Sequence, residues 1–254
     1  MNIPVLMYHG IHDTPGRDGR FDSVYSITRH QFEQQMRWLA DNGYNSVVCS
    51  KINETPPDKK RIVITFDDGD LSNRTVSLPV LQELGMTAEY FITTDWIGTE
   101  DYMNPAQLRE LEQAGMSLQS HAKSHRYLSD LTEEELTEEL VGSKQALEQI
   151  IGRPVTGLAL PGGRGGDNVV QMAKQAGYHY VCNSELGVNA AGTDPFALKR
   201  IAVTRQMGME PFKRLVSGNR WELGRRLLRQ QLLDSMKTVL GNRLYEKVRA
   251  GFLG

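Results

Sequence analysis

Arg61-Ile62-Val63-Ile64-Thr65-Phe66-Asp67-Asp68-Gly69 is the stretch on which the reading of this chain turns. Its first six residues are mostly β-branched or aromatic and read as a strand, which Asp67-Asp68-Gly69 brings to a stop. On the N-terminal side, the short apolar run Ile3 to Tyr8 suits a buried strand. A polar loop runs from Gly10 to about Ser26. Thr28 then caps a helix whose Phe32, Met36 and Leu39 recur at helical spacing until Gly43. Val47 and Val48 suggest another strand, and Pro56-Pro57 marks a loop.

On the C-terminal side, strands and helices alternate. A helix around Val76 to Leu84 closes at Gly85, and Ala88 to Thr93 is the next strand. A helix from Pro105 to Ala114 precedes a strand from Met116 to Ser120. A capped acidic helix from Thr132 to Ile150 leads to a strand from Val155 to Leu160. A helix from Asn168 to Ala176 leads to a strand from Tyr178 to Cys182. Strands separated by single helices argue for parallel βαβ units, and their number for a barrel over a short open sheet. A chain of 254 residues is the usual size for a (β/α) barrel.

Composition narrows the function. Apolar residues at 39% and charged residues at 24% are ordinary for a soluble globular enzyme. The formal net charge of −2 gives no reason to expect nucleic acid as a partner. Cys49 and Cys182 lack neighbours at metal-ligand spacing and read as buried, reduced thiols. With Met1 taken as the native start, the N-terminus lacks the basic start and apolar stretch of a signal peptide, which predicts a cytoplasmic protein. Residues 220–254 hold eight Lys or Arg against three Asp or Glu, with Leu228, Leu232, Met236, Val239 and Leu240 at helical spacing. This predicts a basic amphipathic helical segment after a barrel spanning 1–219, packed on it, in peripheral contact with the inner membrane face, or paired with a partner chain.

The chemistry gathers at strand ends. Asp67 and Asp68 lie where the C-terminal ends of barrel strands form the active-site face. Neighbours at a strand end face different ways, so one acid can bind a hard cation while the other takes a proton from water. Aspartyl-phosphate chemistry is excluded, because Phe66 stands where the Asp-x-Asp-Gly pattern has its first acid. His121 and His125, in Ser120-His121-Ala122-Lys123-Ser124-His125, follow another strand. Four residues apart in a helical turn, they would share a face and reach one ion. Imidazoles with a carboxylate suit zinc and leave a position open for water. Asp-Asp-Gly is also a common turn, and a single histidine is usually a satisfied polar group; the two clusters together favour a metal site.

Thr65-Phe66-Asp67-Asp68-Gly69 and the later His-x-x-x-His resemble the first two signature motifs of the NodB-type polysaccharide deacetylases. The resemblance runs from about Ile3 to Arg205 and includes the acidic helix opening at Leu128 to Glu135. It implies an α/β fold, a distorted (β/α) barrel of about seven strands, here with a C-terminal helical extension. It implies hydrolysis of an acetyl group on an N-acetylated sugar or glycan precursor with a divalent metal, Zn2+ on this ligand set. Carried over by position, Asp68, His121 and His125 become the metal ligands and Asp67 the general base. Val5-Leu6-Met7-Tyr8-His9 resembles the start of the exopolysaccharide deacetylase branch, which implies His9 as general acid.

The chain departs from the family in two places. Leu158 to Gly163 aligns with the third motif but has Ala159 or Leu160 where the family carries the arginine that orients the catalytic aspartate. Arg164 and Arg200 are the candidate substitutes. The late Leu-x-x-His motif is missing, since the last histidine is His179. Gly162 and Gly163 are candidates to offer a backbone N–H to an oxyanion; Trp96 reads equally as a face for a sugar ring or as a loop aromatic folded back on the core, and is left out of the site. Hydrolysis of another C–N bond in a small metabolite, and a catalytically inert glycan-binding relative, stay open as alternatives. The particular sugar and the oligomeric state stay open too.

Overall fold

Every second residue of the long strand from Lys60 to Phe66 points to the same side, and the neighbouring strands repeat this alternation until the sheet closes on itself. A computed structural model describes residues 2–16, 19–54, 60–219 and 221–228. In chain order its elements are β1 (Asn2–Ile3), β2 (Val5–Tyr8), α1 (Arg29–Asp41), β3 (Tyr44–Val47), β4 (Lys60–Phe66), α2 (Leu78–Glu83), β5 (Glu89–Ile92), α3 (Pro105–Gln113) and β6 (Ser117–Ser120). There follow α4 (Glu133–Thr137), α5 (Ser143–Ile151), β7 (Gly157–Ala159), α6 (Asp167–Gln175), β8 (Tyr180–Leu186), β9 (Asn189–Ala190), β10 (Leu198–Ala202) and α7 (Met209–Val216). A π-helical turn, Glu138–Gly142, joins α4 to α5.

Seven parallel strands form the barrel in the order β2-β10-β8-β7-β6-β5-β4, and β4 pairs back onto β2 with Val5 opposite Val63 and Tyr8 opposite Phe66. This is the distorted (β/α) barrel of the sequence reading. Two details differ. The strand expected at Val47–Val48 is Tyr44–Val47; among the described residues it pairs only with β4, at the N-terminal half of that strand, so it lies outside the ring. The seventh barrel strand is β10, which the sequence hides because Lys199 and Arg200 interrupt its apolar residues.

Alternation along the strands splits the core in two. Val5, Val63, Phe91, Ala159, Tyr180, Cys182 and Leu198 fill the barrel. Leu6, Ile62, Ile64, Tyr90, Leu158 and Ile201 pack outward in one cluster with Phe32, Met36 and Leu39 of α1 and Leu108 and Leu111 of α3. Phe66 anchors that outer layer, with ring centroids 5.4 Å from Tyr8, 4.9 Å from Tyr90 and 5.7 Å from Phe32. Thr28 caps α1 as expected, accepting from the Gln31 N–H. The barrel is tight enough that β7 needs glycine at 157, where a Cβ would fall 2.3 Å from the Tyr180 ring.

Cys49 and Cys182 are free, buried thiols in contact, Sγ to Sγ 3.6 Å. The helix over residues 221–228 continues past α7, and Glu222, fully buried, pairs with Arg225 and Arg226 at 2.9 and 3.0 Å. Arg220 and residues 229–254, with most of the expected basic amphipathic segment, lie outside the described residues.

Glu89 is an acid inside the barrel, fully buried beside Cys49 and Tyr180, with Ser117 Oγ donating to it at 3.0 Å. Burial raises its pKa above the ordinary glutamate value of about 4.3. The folded state therefore prefers the neutral acid. That stability is fully present below the unfolded pKa and is lost as the pH rises through the folded one. Urea unfolding of Glu89→Gln beside wild type should show wild type losing ground steadily as the pH rises from about 4.3. A difference that stays constant with pH would contradict a raised pKa for Glu89 in the folded protein.

Candidate active site

The site is built where β4, β6, β7 and β10 end. Asp67 continues the inward set of Val63 and Thr65 and is 2% exposed. Its N–H donates to Tyr8 O at 2.9 Å, which ties it to β2. The chain then leaves the strand through two residues of positive φ, Asp68 at 79° and Gly69 at 90°. Aspartate tolerates that region better than most side chains, and glycine adopts it freely. Thr93 N–H holds Asp68 O at 3.3 Å and Met103 N–H holds Gly69 O at 3.0 Å. Asp67 and Asp68 are thereby fixed in different directions.

Asp67 meets Arg200. The guanidinium of Arg200, 1% exposed, donates from Nη1 to Asp67 Oδ1 at 2.7 Å and from Nη2 to Oδ2 at 2.8 Å. Its Nε donates to Asn183 O at 2.8 Å, which fixes the fork. Two parallel charge-assisted bonds are the strongest pairing these groups can make. Burial alone would raise the Asp67 pKa; the charge of Arg200, then that of His121, and the Arg200 hydrogen bonds reverse this and hold it at about 2. Of the two candidate substitutes for the third-motif arginine, Arg200 is the one in contact. Arg164 stacks on Tyr127 instead, 4.4 Å from the ring centroid.

Asp68 meets the histidines. His121 Nε2 lies 3.5 Å and His125 Nε2 3.4 Å from Asp68 Oδ1. One donor atom from each of the three residues falls within 4.8 Å of the others. Asp68 Oδ1 is buried and accepts no hydrogen bond among the described residues, so an acceptor stands bare where the two imidazoles converge. His121 Nδ1 is 2.9 Å from Ala159 O. A carbonyl only accepts, so Nδ1 carries a proton and Nε2 is the nitrogen turned toward Asp68. Burial, and then the neighbouring His121, lower the His125 pKa, which favours the neutral, ligating form.

The spacing brought the histidines together, but by a different route from the expected helical turn. Residues 121–125 are irregular loop, with Ala122 and His125 at φ of 61° and 64°. The reversal of backbone hand, rather than a shared helix face, aims both rings at one point. His9 follows β2, stacks on Tyr25 with centroids 4.7 Å apart, and is close enough for its charge to act on Asp67 and His125. Trp96 stacks on His125, centroids 4.9 Å apart, and packs on Tyr102. Gly163 is withdrawn as an oxyanion donor, because its N–H already binds Leu160 O at 2.7 Å.

A family model for polysaccharide deacetylases matches residues 54–181. The chain is 30% identical to YxkH of Bacillus subtilis, a polysaccharide deacetylase by name, over 83% of its own length and 74% of that protein's. It is similar in structure to the Streptococcus pyogenes deacetylase PplD in complex with acetate, with a TM-score of 0.77 and 26% identity over 85% of this chain and 98% of that one. It also resembles a Bacillus cereus polysaccharide deacetylase, with a TM-score of 0.75 and 30% identity over 85% of this chain and 69% of that one. The chain belongs to the polysaccharide deacetylase family.

Removing one member of a buried ion pair strands the other charge, at a cost of about 3–5 kcal/mol. Arg200→Leu should lower the unfolding free energy in denaturant by about that much. Adding Asp67→Asn should restore part of the loss. Additive effects in the double variant would show that the pair does not hold the barrel mouth together.

Proposed function

We propose that the protein is a divalent-metal-dependent hydrolase that removes the acetyl group from the nitrogen of an N-acetylated sugar within a glycan or glycan precursor. The observation that carries this reading is the meeting of Asp68, His121 and His125 around one bare carboxylate oxygen, beside an aspartate locked by arginine. The names of YxkH and of the Bacillus cereus structure support a glycan as substrate.

The donor set, two imidazoles and one carboxylate, fits a catalytic zinc site with an open position. A bound ion supplies a Lewis acid for the acetyl carbonyl and lowers the pKa of water toward about 7. Asp67 is ionised at every working pH and takes a proton from the attacking water. Held at about 2, it is a weak base, so the proton does not rest there. Water oxygen bonds to the acetyl carbon, the C–N bond breaks, and the leaving nitrogen needs a proton. His9, within electrostatic reach of Asp67, is the group we assign to deliver it. Acetate and the free amine depart. Trp96, partly exposed and stacked on His125, offers a face for a sugar ring.

The same contacts weaken the reading of an inert glycan binder. Two absences favour it, the third-motif arginine and the late Leu-x-x-His histidine; Arg200 supplies the first from another strand, and the second stays missing.

With Zn2+ supplied and a short N-acetylglucosamine oligomer as substrate, wild type should release acetate. Asp68→Ala and His125→Ala should fall to background. Asp67→Asn should still bind Zn2+ while turnover drops by about 10²–10⁴-fold, the range for a lost general base. Near-native acetate release by Asp67→Asn would overturn the assignment of the base.

A further inference from the structure

The loop that carries both histidines makes no regular backbone ladder of its own, and something else must hold it. Two of its residues, Ala122 and His125, sit at positive φ without being glycine, a conformation that surrounding contacts have to enforce. Its carbonyls are taken from one side, where Thr94 N–H reaches Ala122 O at 3.3 Å and Asp95 N–H reaches Lys123 O at 2.9 Å. Two of its amides are taken by a single carboxylate. Lys123 N–H and Ser124 N–H donate to Glu139 Oε2 at 2.8 and 2.9 Å, and Ser124 Oγ donates to Glu139 Oε1.

Glu139 is 5% exposed and lies in the π-helical turn between α4 and α5. Such turns insert a residue into the helical register and often mark functional places. Ser143, at the start of α5, binds both sides of the junction. Its hydroxyl donates to Glu139 O at 2.6 Å and lies 2.9 Å from Ser120 Oγ, which in turn accepts the Ala122 N–H at 3.1 Å. The helix therefore grips the chain at Ser120, just before His121, and at Lys123 and Ser124, between the two histidines.

We propose that Glu139 is a positioning residue that fixes the His121–His125 loop in its metal-ligating form. The inference rests on the metal reading of Asp68, His121 and His125. A carboxylate offers this loop acceptors only, and its charge strengthens all three bonds. A glutamine keeps the two amide bonds only with its NH2 turned to Ser124 Oγ, which must then accept, and it loses the charge assistance throughout. The role is indirect, through backbone amides, and belongs with the outer-shell groups that hold metal ligands in place.

The test is Zn2+ affinity, measured by competition with a chromophoric chelator, for wild type, Glu139→Gln and Ser124→Ala. Loss of an outer-shell partner of metal ligands weakens affinity by about 10–100-fold. Glu139→Gln should fall in that range, with an altered visible spectrum when Co2+ replaces Zn2+. Ser124→Ala, which removes only the hydroxyl contact, should weaken binding less. Wild-type affinity and an unchanged Co2+ spectrum in a folded Glu139→Gln would overturn the proposal. If Glu139→Gln does not fold, Ser124→Ala decides, and wild-type affinity there overturns it. Failure of wild type itself to bind Zn2+ would be a different result, sinking the metal site and the clamp together.

Discussion

The bidentate pair between Asp67 and Arg200 is the contact on which the barrel mouth depends. Neither charge could stay buried alone, since an uncompensated ion in the interior is far costlier than a paired one. Together they link β4 to β10 across the barrel. Arg200 also donates from Nε to Asn183 O of β8, so three strands meet at one guanidinium. The pair also fixes the chemical state of Asp67, ionised and held at about 2.

Around it, each strand end contributes a residue whose direction follows from backbone parity or from a break in it. Asp67 is inward because Val63 and Thr65 are. Asp68 escapes that parity through its positive φ, and so faces the histidines instead of Arg200. The histidine loop repeats the device with two more positive-φ residues. Local backbone conformations that would be unfavourable alone are held by contacts from other elements, including Glu139 and the segment at Thr94 and Asp95. The Asp68–His121–His125 cluster and Asp67 are thus neighbours with separate supports, which lets one variant change Asp67 and leave the cluster in place.

Much of this was legible in the residues themselves. The β-branched run before Asp67 marks a buried strand because its composition suits nothing else, and the capped helices announce their own starts at Thr28 and Thr132. Asp68, His121 and His125 declare themselves by residue type, spacing and placement after strands. What stayed hidden depends on long-range contact. Arg200 sits in a short strand interrupted by Lys199, and nothing local says that its side chain runs inward to an acid 133 residues away. Glu139 looked like one more charge on an acidic helix, because the π turn that carries it inward leaves no mark in the sequence. Gly163 looked available as a donor until the loop closed on its own N–H.

The central claim is that Asp68, His121 and His125 form a metal site, and the most direct measurement is metal content per chain. Protein purified without chelators would be analysed for elements beside His121→Ala. The account predicts about one divalent ion per wild-type chain, the count of a mononuclear catalytic site, and loss of that ion from the variant. A wild-type protein that holds no ion, even after incubation with Zn2+ and dialysis, would contradict it.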